Sequence, residues 1–445
     1  MRTSSLIGHV VEVLDIVRPG LQPADKVVKD FFRSRHYLGS SDRRFIAERT
    51  FAVLRHHRLL EVLCREALTR LRSAGPSGAV PSIMLLAAHE ICKEGRPASQ
   101  LETELGGMWR MRLDVPPGEF IGALPGVEIP EELGRDPASR LAVEYSLPDF
   151  VVQDWIESYG SSETEELCRA SNAQPPVTIR VNTLRGGVEE CQRILQAEGI
   201  VSSTTRLSPV GLTLPKRINA QALHSFRQGW YEMQDEGSQL LTSLLEVRPG
   251  MTVLDACAGA GGKSLHMAAL MHNKGKIIAL DVDARKLENF TLRARRAGVT
   301  IAQASVVPLE VQGPAQMSVL ADAVLIDAPC SGVGTFRRNP GAKLHCTAEF
   351  SRSLALTQAA LLARYSASVK AGGRLVYSTC TLVRGENEGV VEGFLRDHPE
   401  FSSLCAEEVF KRQGIACPGH HSYLELLPHR TGTDGYFAAV LQRKA

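Results

Sequence analysis

The sequence predicts a multidomain protein with an all-helical N-terminal domain, a small α+β segment and a C-terminal α/β domain built on a parallel sheet. The chain has 445 residues, which is longer than one typical domain. Its first third carries apolar residues at helical spacing, without strand-like alternation. From about residue 236 onward, strand-like apolar runs alternate with helical patterns, as in a parallel sheet covered on both faces.

The N-terminal region is predicted to be a compact helical bundle. The stretch 45–71 (FIAERTFAVLRHHRLLEVLCREALTRL) places its leucines at helix-like intervals. Proline and glycine then cluster and indicate a linker, so we place the helical domain and its linker at residues 1–140. Between Arg2 and Arg72 there are 14 lysines and arginines against 8 acidic residues, a net charge of +6. Such a basic excess permits binding to nucleic acid, and it also fits solvated helix faces.

Two further regions complete the predicted organisation. Residues 141–235 mix a helical stretch (SLPDFVVQDWIESYG) with short strands (PPVTIRVN and GLTLP) and form the small α+β segment. Residues 236–445 form the α/β domain, in which the runs MTVLDA, KIIALDVD, ADAVLIDAP and GGRLVYSTC are strands separated by helices. The tail YLELLPHRTGTDGYFAAVLQ predicts two strands around a turn, at an antiparallel edge of the sheet.

Composition places the chain among soluble globular proteins, with 44% hydrophobic and 22% charged residues. No apolar run is long enough to span a membrane, and Glu12 and Asp15 interrupt the apolar N-terminal stretch. We therefore expect a cytoplasmic protein without a secretion signal or a membrane partner. None of the ten cysteines lies in a CxxC motif, so we expect neither a zinc site nor disulfides. We expect no bound metal ion, and we expect the protein to be a monomer.

The stretch DACAGAGGKS (255–264) has the pattern of a nucleotide-binding loop. A phosphate-binding loop would need glycine where Cys257 stands, and a dinucleotide turn would need a third glycine where Ser264 stands. An adenosyl cofactor has no phosphates, but it still needs glycines for close backbone approach. It also needs an acidic residue for the ribose hydroxyls, and Asp281, 22 residues after Gly259, ends the next predicted strand. Asp283 is a nearby alternative that would equally serve as a helix cap.

Two later strands end in cysteine motifs, DAPCS (327–331) and STC (378–380). Ligands bind beyond the carboxyl ends of the strands in open parallel sheets, so Cys330 and Cys380 are expected at the mouth of the same site. A thiolate that adds to carbon 6 of a pyrimidine makes carbon 5 nucleophilic enough to take a methyl group. Asp327 would then hydrogen-bond the base edge and stabilise the charge that develops on the ring.

These motifs together resemble a known enzyme family. DACAGAGGKS, ALDVD, DAPCSGVGTFRRNP and YSTCT, in this order, are similar to the Sun-type RNA cytosine methyltransferases, which make 5-methylcytosine. RVN (180–182) and MQDEGSQLL (233–241) resemble the segment that precedes the catalytic domain, and LGSSDRRFIAERTFAVLR (38–55) resembles a NusB-like domain. The resemblance implies an N-terminal all-α NusB-like bundle, a small α+β RNA-binding domain and a C-terminal Rossmann-like class I methyltransferase domain.

The resemblance also implies roles for individual residues. Cys380 would be the nucleophile and Cys330 would assist product release, an order that the chemistry alone leaves open. The cofactor would be S-adenosyl-L-methionine and the partner RNA, above all 16S rRNA. The residues implied in cofactor binding are Cys257, Ala258, Gly259, Ala260, Gly261, Gly262, Lys263, Asp281, Ser305 and Asp327. Those implied in RNA binding are Arg180, Asn182, Arg337 and Arg338.

The sequence departs from the family pattern at three positions and leaves alternatives open. Ser305 stands where an aspartate is usual near the adenine, and Gly341 and Leu344 replace an acidic and an aromatic residue. These changes motivate an alternative function, a non-catalytic RNA-binding or ribosome-assembly protein that keeps the fold. Retention of both cysteines argues against it. A nicotinamide oxidoreductase is the third hypothesis, which the missing third glycine and the paired cysteines disfavour.

Overall fold

The architecture comes from a computed structural model of the chain, which describes residues 3–20, 22–72, 78–109, 113–308, 320–418 and 422–445. The chain divides into two compact units. The first, here called unit 1, comprises Met1–Ala173 and Phe336–Thr347. The second, unit 2, comprises Gln174–Thr335 and Ala348–Ala445. The second segment of unit 1, Phe336–Thr347, thus lies in the middle of the predicted α/β domain in sequence.

Unit 1 is helical throughout its described ranges and contains no helix long and apolar enough to cross a bilayer. Its helices are α1 (Thr3–Val17), α2 (Ala24–Arg33), α3 (Ser40–Arg55), α4 (His57–Arg70), α5 (Ser82–Cys92), α6 (Ala98–Trp109), α7 (Pro117–Ala123), α8 (Glu131–Gly134), α9 (Pro137–Glu144), α10 (Asp149–Tyr159) and α11 (Ser161–Asn172). The segment Pro340–Leu344 adds a 3₁₀ turn.

The core of unit 1 follows from apolar residues spaced three and four apart. In α1 the side chains of Ile7, Val10, Val11 and Leu14 form one buried stripe. Helix α5 is buried over nearly its whole length, which places it at the centre of the bundle. The 45–71 stretch forms two helices rather than one, because the chain leaves helical geometry at His56.

Unit 1 extends past the linker predicted near residue 140. The amide of Leu59 in α4 donates a hydrogen bond of 3.1 Å to Oγ of Ser146, just after α9. Val143 of α9 packs with Leu59 and Leu63 in a small apolar cluster. Helices α9 to α11 therefore belong to the helical unit, and the compact division falls after Ala173 instead.

Unit 2 contains a four-stranded antiparallel sheet with the order β2-β3-β1-β4. Its strands are β1 (Val177–Val181), β2 (Ser203–Thr204), β3 (Gly211–Leu214) and β4 (Tyr231–Met233). Helix α12 (Val188–Ala197) contributes Cys191 and Leu195 to the small core that Ile179, Leu212 and Tyr231 complete. This arrangement is the small α+β structure that the sequence predicts.

The larger sheet of unit 2 has eight strands in a mixed arrangement. They are β5 (Thr252–Asp255), β6 (Lys276–Asp281), β7 (Ala302–Val306), β8 (Ala321–Asp327), β9 (Val369–Thr379), β10 (Phe401–Leu404), β11 (Leu424–Leu426) and β12 (Tyr436–Arg443). The helices of unit 2 after α12 are α13 (His224–Arg227), α14 (Glu236–Ser243), α15 (Gly262–Leu270), α16 (Ala284–Ala297), α17 (Ala348–Ser366), α18 (Glu388–Asp397), α19 (Ala406–Arg412) and α20 (Pro428–Thr431).

The strand order fixes where a ligand can bind. It runs β10-β12-β9-β8-β5-β6-β7, with β11 paired to β12. From β5 the chain proceeds outward through β6 and β7, and it then returns to β8 on the other side of β5. The carboxyl ends of β5 and β8 therefore flank a topological switch point, the usual ligand site of open α/β sheets. Asp255 and Asp327 end these two strands.

Both faces of this sheet are covered, as the apolar strands predict. On one face Val253, Leu325 and Val376 pack with residues of α14, α15 and α16. On the other face Leu254 and Val324 pack with residues of α17 and α18. Neighbouring residues of one strand thus point to opposite helical layers, which is the period-two alternation of a strand.

The tail forms two antiparallel strands on the antiparallel side of the sheet as predicted, with β11 as an outer strand and β12 as an interior one. Strand β12 lies between β9 and β10, and it pairs antiparallel with both. Phe437, Ala438 and Ala439 are fully buried there, in keeping with an interior strand. The short strands β10 and β11 are the outer ones on this side, each paired with a different part of β12.

Candidate active site

The loop between β5 and α15 depends on two glycines. Gly259 and Gly261 have φ angles of +55° and +81°, in the left-handed region that favours glycine. At Gly261 a Cβ atom would lie 1.8 Å from Cδ2 of Phe290. The amide of Gly261 donates a 2.8 Å hydrogen bond to the carbonyl of Ala258, which closes the turn. A side chain would therefore not fit at Gly261, and the glycines leave the backbone of the loop accessible to a ligand.

Asp281 and Asp283 have separate roles. Asp281 Oδ2 accepts a 2.7 Å hydrogen bond from the amide of Gly259, and Oδ1 accepts one of 2.8 Å from the amide of Asp283. Asp283 caps α16 by accepting from the amides of Arg285 and Lys286. Each oxygen of Asp281 retains acceptor capacity beside the glycine loop. Asp281 therefore holds the glycine loop and the turn after β6, while Asp283 is the helix cap.

Apolar side chains lie exposed beside Asp281. Val282 is 50% exposed and Val306 is 55% exposed, although most valines of this sheet are buried. Val306 pairs with Asp281 across β6 and β7, and Ser305 precedes it in an exposed position. The carboxyl ends of β6 and β7 thus present apolar surface next to the carboxylate, a chemistry that suits the face of a purine base.

Two arginines hold the glycine loop by its carbonyl groups. Arg293 of α16 donates 2.7 Å to the carbonyl of Ala260, and Arg180 of β1 donates 2.6 Å to that of Gly262. Arg180 is 2% exposed, and burial lowers its pKa to about 9 although Glu232 favours the charge. Its guanidinium thus supports the loop from within the protein.

Asn182, predicted together with Arg180 to contact RNA, is also buried. Its Nδ2 donates 2.8 Å to the carbonyl of Gly229 and 2.9 Å to that of Ala297, at the end of α16. Both side chains lie inside the protein, where they donate hydrogen bonds to backbone carbonyls. We therefore no longer assign a direct RNA contact to Arg180 or Asn182.

Lys263 and Asp327 form an ion pair at the switch point. Nζ of Lys263 lies 2.6 Å from Oδ2 of Asp327, and Ser378 donates 3.1 Å to Oδ1. Burial opposes the charge on Lys263, but Asp327 outweighs it and raises the lysine pKa. A fixed cation and a fixed anion therefore lie together between the glycine loop and the end of β8.

Asp255 lies behind this ion pair and is 1% exposed. Its Oδ2 accepts a 2.5 Å hydrogen bond from Oγ of Ser264, whereas Oδ1 has no protein partner among the described residues. Burial raises the pKa of Asp255 to about 7, Asp327 adds to the shift, and the Ser264 hydrogen bond opposes it. Near neutral pH this carboxyl is therefore divided between its protonated and its charged form.

The two predicted cysteines meet at the ends of neighbouring strands. Sγ of Cys330 lies 3.3 Å from Sγ of Cys380, and the amide of Cys380 donates 3.3 Å to Sγ of Cys330. Asp327 and Ser378 pair across β8 and β9, which places both cysteine loops at one edge. Both cysteines are partly exposed.

The environment of Cys330 favours the protonated thiol. The hydrogen bond with Cys380 and then burial raise the pKa of the Cys330 thiol well above its usual range. Cys330 therefore keeps its proton and can donate it to the sulfur of Cys380. Burial also raises the pKa of Cys257 in the glycine loop, so that this thiol stays protonated. The nucleophilic role of Cys380 stays a prediction.

Glu386 organises the Cys330 loop, a role that the sequence gives no signal for. It is fully buried, and its Oε2 accepts 2.9 Å from the amide of Ser331 and 2.9 Å from Nε2 of Gln358. Oγ of Ser351 donates 2.6 Å to Oε1. An isolated acidic residue outside any motif is indistinguishable from a solvated one until the fold brings these donors together.

Comparisons with known proteins identify the family of this chain. The profile of the family described as 16S rRNA methyltransferase RsmB/F matches residues 242–442. A second profile, the RsmF/B-like ferredoxin-like domain, matches residues 147–221. The probable ribosomal RNA small subunit methyltransferase B of Bacillus subtilis (strain 168) is 37% identical over 310 residues, covering 70% of this chain and 69% of that protein. The chain belongs to the RsmB/F family.

Other RsmB/F relatives and solved structures extend the similarity over the whole chain. The probable methyltransferase B of Synechocystis sp. is 30% identical over 426 residues, 92% of this chain and 93% of that protein. The crystal structure of PH0851 is 26% identical, with a TM-score of 0.78, and the match covers 100% of this chain and 99% of that chain. A methyltransferase homolog from Pyrococcus horikoshii, 26% identical with a TM-score of 0.58, covers 71% of this chain.

Membership of the RsmB/F family confirms the Sun-type resemblance and the prediction of an RNA methyltransferase enzyme. It also confirms a Rossmann-like sheet of the methyltransferase type.

Within the described residues, no group of three or more His, Cys, Asp or Glu side chains is placed to hold a metal ion.

The two arginines predicted to follow the DAPC motif lie in different environments. Arg338 is exposed, whereas Arg337 is 4% exposed and its carbonyl accepts a 3.1 Å hydrogen bond from Arg55. An RNA phosphate needs an accessible cation. We therefore keep the predicted RNA contact for Arg338 alone.

Proposed function

We propose that the chain transfers a methyl group from S-adenosyl-L-methionine to carbon 5 of a cytosine in 16S rRNA, by way of a covalent bond between Cys380 and carbon 6. The observation that carries the proposal is the pair of thiols 3.3 Å apart, beside the Lys263–Asp327 ion pair and at the mouth of the glycine loop. One switch point brings together two thiols, an ion pair and a left-handed glycine turn. These groups suit methyl transfer to cytosine better than they suit phosphate transfer or hydride transfer.

The residues present fit the cofactor. Asp281 offers acceptor atoms for the ribose hydroxyls, and Val282 and Val306 offer apolar surface for the adenine. The backbone of 257–262 offers close approach, and Lys263 and Asp327 offer charges for the amino acid moiety or for the base. Ser305 is exposed at the end of β7 and can supply a hydroxyl. When bound, S-adenosyl-L-methionine supplies an electrophilic methyl group.

Cys380 begins the chemistry as a thiolate. Its sulfur adds to carbon 6 of the cytosine, and the electron pair of the 5,6 double bond becomes available at carbon 5. Carbon 5 would then take the methyl group from a bound S-adenosyl-L-methionine, as the sulfur–methyl bond breaks and S-adenosyl-L-homocysteine leaves. The Lys263 ammonium lowers the energy of the negative charge that the addition pushes into the ring, and the Asp327 carboxylate can accept a hydrogen bond from the exocyclic amine.

Cys330 serves the second half of the reaction. After methyl transfer, a water molecule or another basic group takes the proton from carbon 5, the electron pair of that carbon–hydrogen bond re-forms the 5,6 double bond, and the carbon–sulfur bond breaks with its electron pair on Cys380. The departing sulfur takes negative charge, and the Cys330 thiol can donate a hydrogen bond to it because the two sulfurs are 3.3 Å apart. Without Cys330 the covalent adduct should persist.

RNA binding is assigned to exposed groups. Arg338 follows the DAPC motif on the surface, and the N-terminal helical bundle carries a net charge of +6 between Arg2 and Arg72. We propose that this bundle is a NusB-like module that binds RNA phosphates and brings the target base to the site. The target cytosine must be single-stranded or flipped out for Cys380 to reach it.

The non-catalytic alternative loses part of its motivation. Gly341 and Leu344 depart from the family pattern, but both pack inside unit 1, where a Cβ at Gly341 would meet Ala24. Their change therefore has a packing reason and does not imply weakened RNA binding. No observation favours a scaffold over an enzyme that retains both cysteines.

The test is methyl transfer from labelled S-adenosyl-L-methionine to bulk rRNA and to small-subunit particles, with Cys380→Ala and Cys330→Ala as variants. The expected result is transfer by the wild type and none by Cys380→Ala. A stable protein–RNA adduct should form with Cys330→Ala only. An adduct that forms with Cys380→Ala instead would reverse the two roles. No transfer to either substrate, together with no cofactor binding, would contradict the proposed function.

A further inference from the structure

One peptide group of the glycine loop is held at both ends. The amide of Gly261 donates a 2.8 Å hydrogen bond to the carbonyl of Ala258. The carbonyl of Ala260, which belongs to the same peptide group, accepts one of 2.7 Å from Nη1 of Arg293. Because a glycine adopts positive and negative φ about equally readily, Gly261 does not by itself keep its φ of +81°. The conformation of the loop therefore depends on the groups that hold this peptide group.

Glu232 fixes the orientation of the Arg293 guanidinium. Nε and Nη2 of Arg293 donate hydrogen bonds of 3.2 Å and 3.0 Å to Oε2 of Glu232, which lies on β4. A guanidinium group is planar, so a carboxylate that binds one of its edges also fixes the direction of the remaining donors. Nη1, outside that edge, then points at the carbonyl of Ala260. Without the carboxylate, the flexible side chain of Arg293 would lose the contact that selects this orientation.

Glu232 is buried and balances further cations. Its side chain is 5% exposed, and its Oε1 accepts a hydrogen bond from Arg296, one turn after Arg293 on α16. Arg180 pairs with Glu232 across β1 and β4, and it donates 2.6 Å to the carbonyl of Gly262. Burial lowers the pKa of Arg180 to about 9, and the charge of Glu232 opposes this shift. One carboxylate therefore supports both arginines that hold carbonyl groups of the glycine loop.

The support comes from a sheet to which the glycine loop does not belong. Glu232 and Arg180 are neighbours in the four-stranded sheet, whereas the loop joins β5 of the larger sheet to α15. Arg293 lies on α16, which packs against the larger sheet. Both sheets belong to unit 2. The Glu232–Arg293 contact therefore connects the small α+β segment to the backbone of the loop.

We propose that Glu232 is a positioning residue for cofactor binding, which orients Arg293 on the carbonyl of Ala260 and thereby keeps the glycine loop in the conformation that accepts S-adenosyl-L-methionine. This role rests on the proposed function for the identity of the cofactor. The conformation of the loop is measurable without any cofactor. The role of Glu232 and the proposed function can therefore fail separately.

The first experiment measures hydrogen–deuterium exchange of the ligand-free protein, with fragmentation mass spectrometry to resolve single amides. Glu232→Gln keeps the size of the side chain and removes its charge. The amide of Gly261 should exchange at least about tenfold faster in this variant, the factor that corresponds to one lost hydrogen bond with a charged partner. An unchanged rate at Gly261 would overturn the proposal.

Glu246→Gln is the matched control. The side chain of Glu246 is 14% exposed and pairs with two arginines, Arg374 and Arg412, as Glu232 does with its own two. Glu246 precedes β5, whereas the glycine loop follows that strand, so this variant should leave the exchange rate of Gly261 unchanged. An equal rise in both variants would show a general loss of stability and would contradict the proposal.

The buried amides of Val324 and Leu325, in the central strand β8, report unfolding in the same sample. If they exchange faster by the same factor, Glu232→Gln has lost its fold, and Arg293→Lys decides in its place. A lysine keeps the positive charge beside Glu232, but it lacks the planar fork that binds the carboxylate and the Ala260 carbonyl together. A rise at Gly261 without one in β8 supports the proposal, and no rise overturns it.

The second experiment measures binding of S-adenosyl-L-methionine by isothermal titration calorimetry. Misfolded molecules lower the number of binding sites, whereas an altered loop raises the Kd of the molecules that still bind. Glu232→Gln should raise Kd at least about tenfold with the number of sites unchanged, and Glu246→Gln should change neither quantity. An unchanged Kd would overturn the proposal. A fall in the number of sites alone would mean a merely structural role and would also contradict it.

A double variant tests whether Glu232 acts through Arg293. Arg293→Gln removes the guanidinium and should by itself raise Kd for S-adenosyl-L-methionine. In that background Glu232→Gln should change Kd less than about threefold, because the group that it orients is absent. An undiminished effect would contradict the proposed route. A wild type that does not bind S-adenosyl-L-methionine would contradict the proposed function instead, and the exchange rate of Gly261 would still decide whether Glu232 holds the loop.

Discussion

Sγ of Cys330 lies 3.3 Å from Sγ of Cys380, at the ends of two strands that run side by side. The short distance makes the two thiols chemically dependent on each other, since a proton on one stabilises negative charge on the other. The same distance exposes the pair to oxidation, because a disulfide requires only that the sulfurs approach to about 2.05 Å.

Mild oxidation should therefore inactivate the enzyme reversibly. With diamide as oxidant, the two thiols lose two hydrogens and form a disulfide, which removes the nucleophile. Intact mass and peptide mapping should show a Cys330–Cys380 link, and dithiothreitol should restore methyl transfer. Cys330→Ala is the control, because its Cys380 has no partner at 3.3 Å. Because Cys330→Ala is expected to stop at the covalent adduct, its readout is adduct formation with RNA, and loss of that adduct under diamide at the same rate would contradict the prediction.

The Lys263–Asp327 pair predicts a non-additive effect on stability. Asp327→Asn leaves a largely buried ammonium without its carboxylate, so the free energy of unfolding should fall by about 1–3 kcal/mol. Lys263→Met in the same chain removes the stranded charge and should recover most of that loss. Urea denaturation of the wild type, the two single variants and the double variant measures the coupling. Additive losses would show that the pair contributes nothing.

Gly259 and Gly261 should respond differently to substitution. Gly261→Ala places a methyl group 1.8 Å from Phe290 and also strains the backbone at φ +81°, so cofactor binding should be lost. Gly259 has φ +55°, and a Cβ added there would meet nothing within 4 Å, so Gly259→Asn should cost only about 1 kcal/mol. Isothermal titration with S-adenosyl-L-methionine and thermal unfolding measure both effects. Equal tolerance at the two positions would contradict the geometric argument.

Asp255 should impose a pH dependence on stability. Its pKa is raised by burial to about 7, from 3.8 for the exposed group. Between pH 4 and 7 the folded state binds more protons than the unfolded state, so this group lowers stability as the pH rises, by up to about 1.4 kcal/mol per pH unit. Asp255→Asn removes the titration and can still accept the hydrogen bond of Ser264. The stability difference between variant and wild type should therefore grow from pH 4.5 to 7 and then level off; a constant difference would contradict the shift.

The sequence predicts those features of the site that depend on neighbouring residues. The glycine turn, the carboxylate of Asp281 and the cysteines at strand ends are set by short stretches, because period and turn chemistry are local. The arrangement of β12 between β9 and β10 is not local, since an interior antiparallel strand and an edge strand share the same short apolar pattern.

Buried polar side chains were the least predictable. Arg180, Asn182 and Arg337 belong to motifs that suggest surface contacts with RNA, yet each is buried. The carbonyl groups that Arg180 and Asn182 bind lie 47 to 115 residues away in sequence. Glu386 is missed for the same reason, because its donors come from α17 and from the loop after β8. A polar residue that binds carbonyl groups inside the protein has the same sequence signature as one that binds phosphate.

The packing of Gly341 against Ala24 gives the last prediction. Gly341→Ala places its methyl group 2.7 Å from Cβ of Ala24, so overpacking should lower the free energy of unfolding by about 1–3 kcal/mol. Ala24→Gly removes the opposing methyl group, and because Ala24 is the first residue of α2 the helix loses little by it. The double variant should therefore be more stable than Gly341→Ala alone, and chemical denaturation of all four proteins measures the coupling. If Gly341→Ala leaves the free energy of unfolding unchanged, packing does not explain the glycine at this position. The departure from the family pattern would then have to be explained by RNA binding.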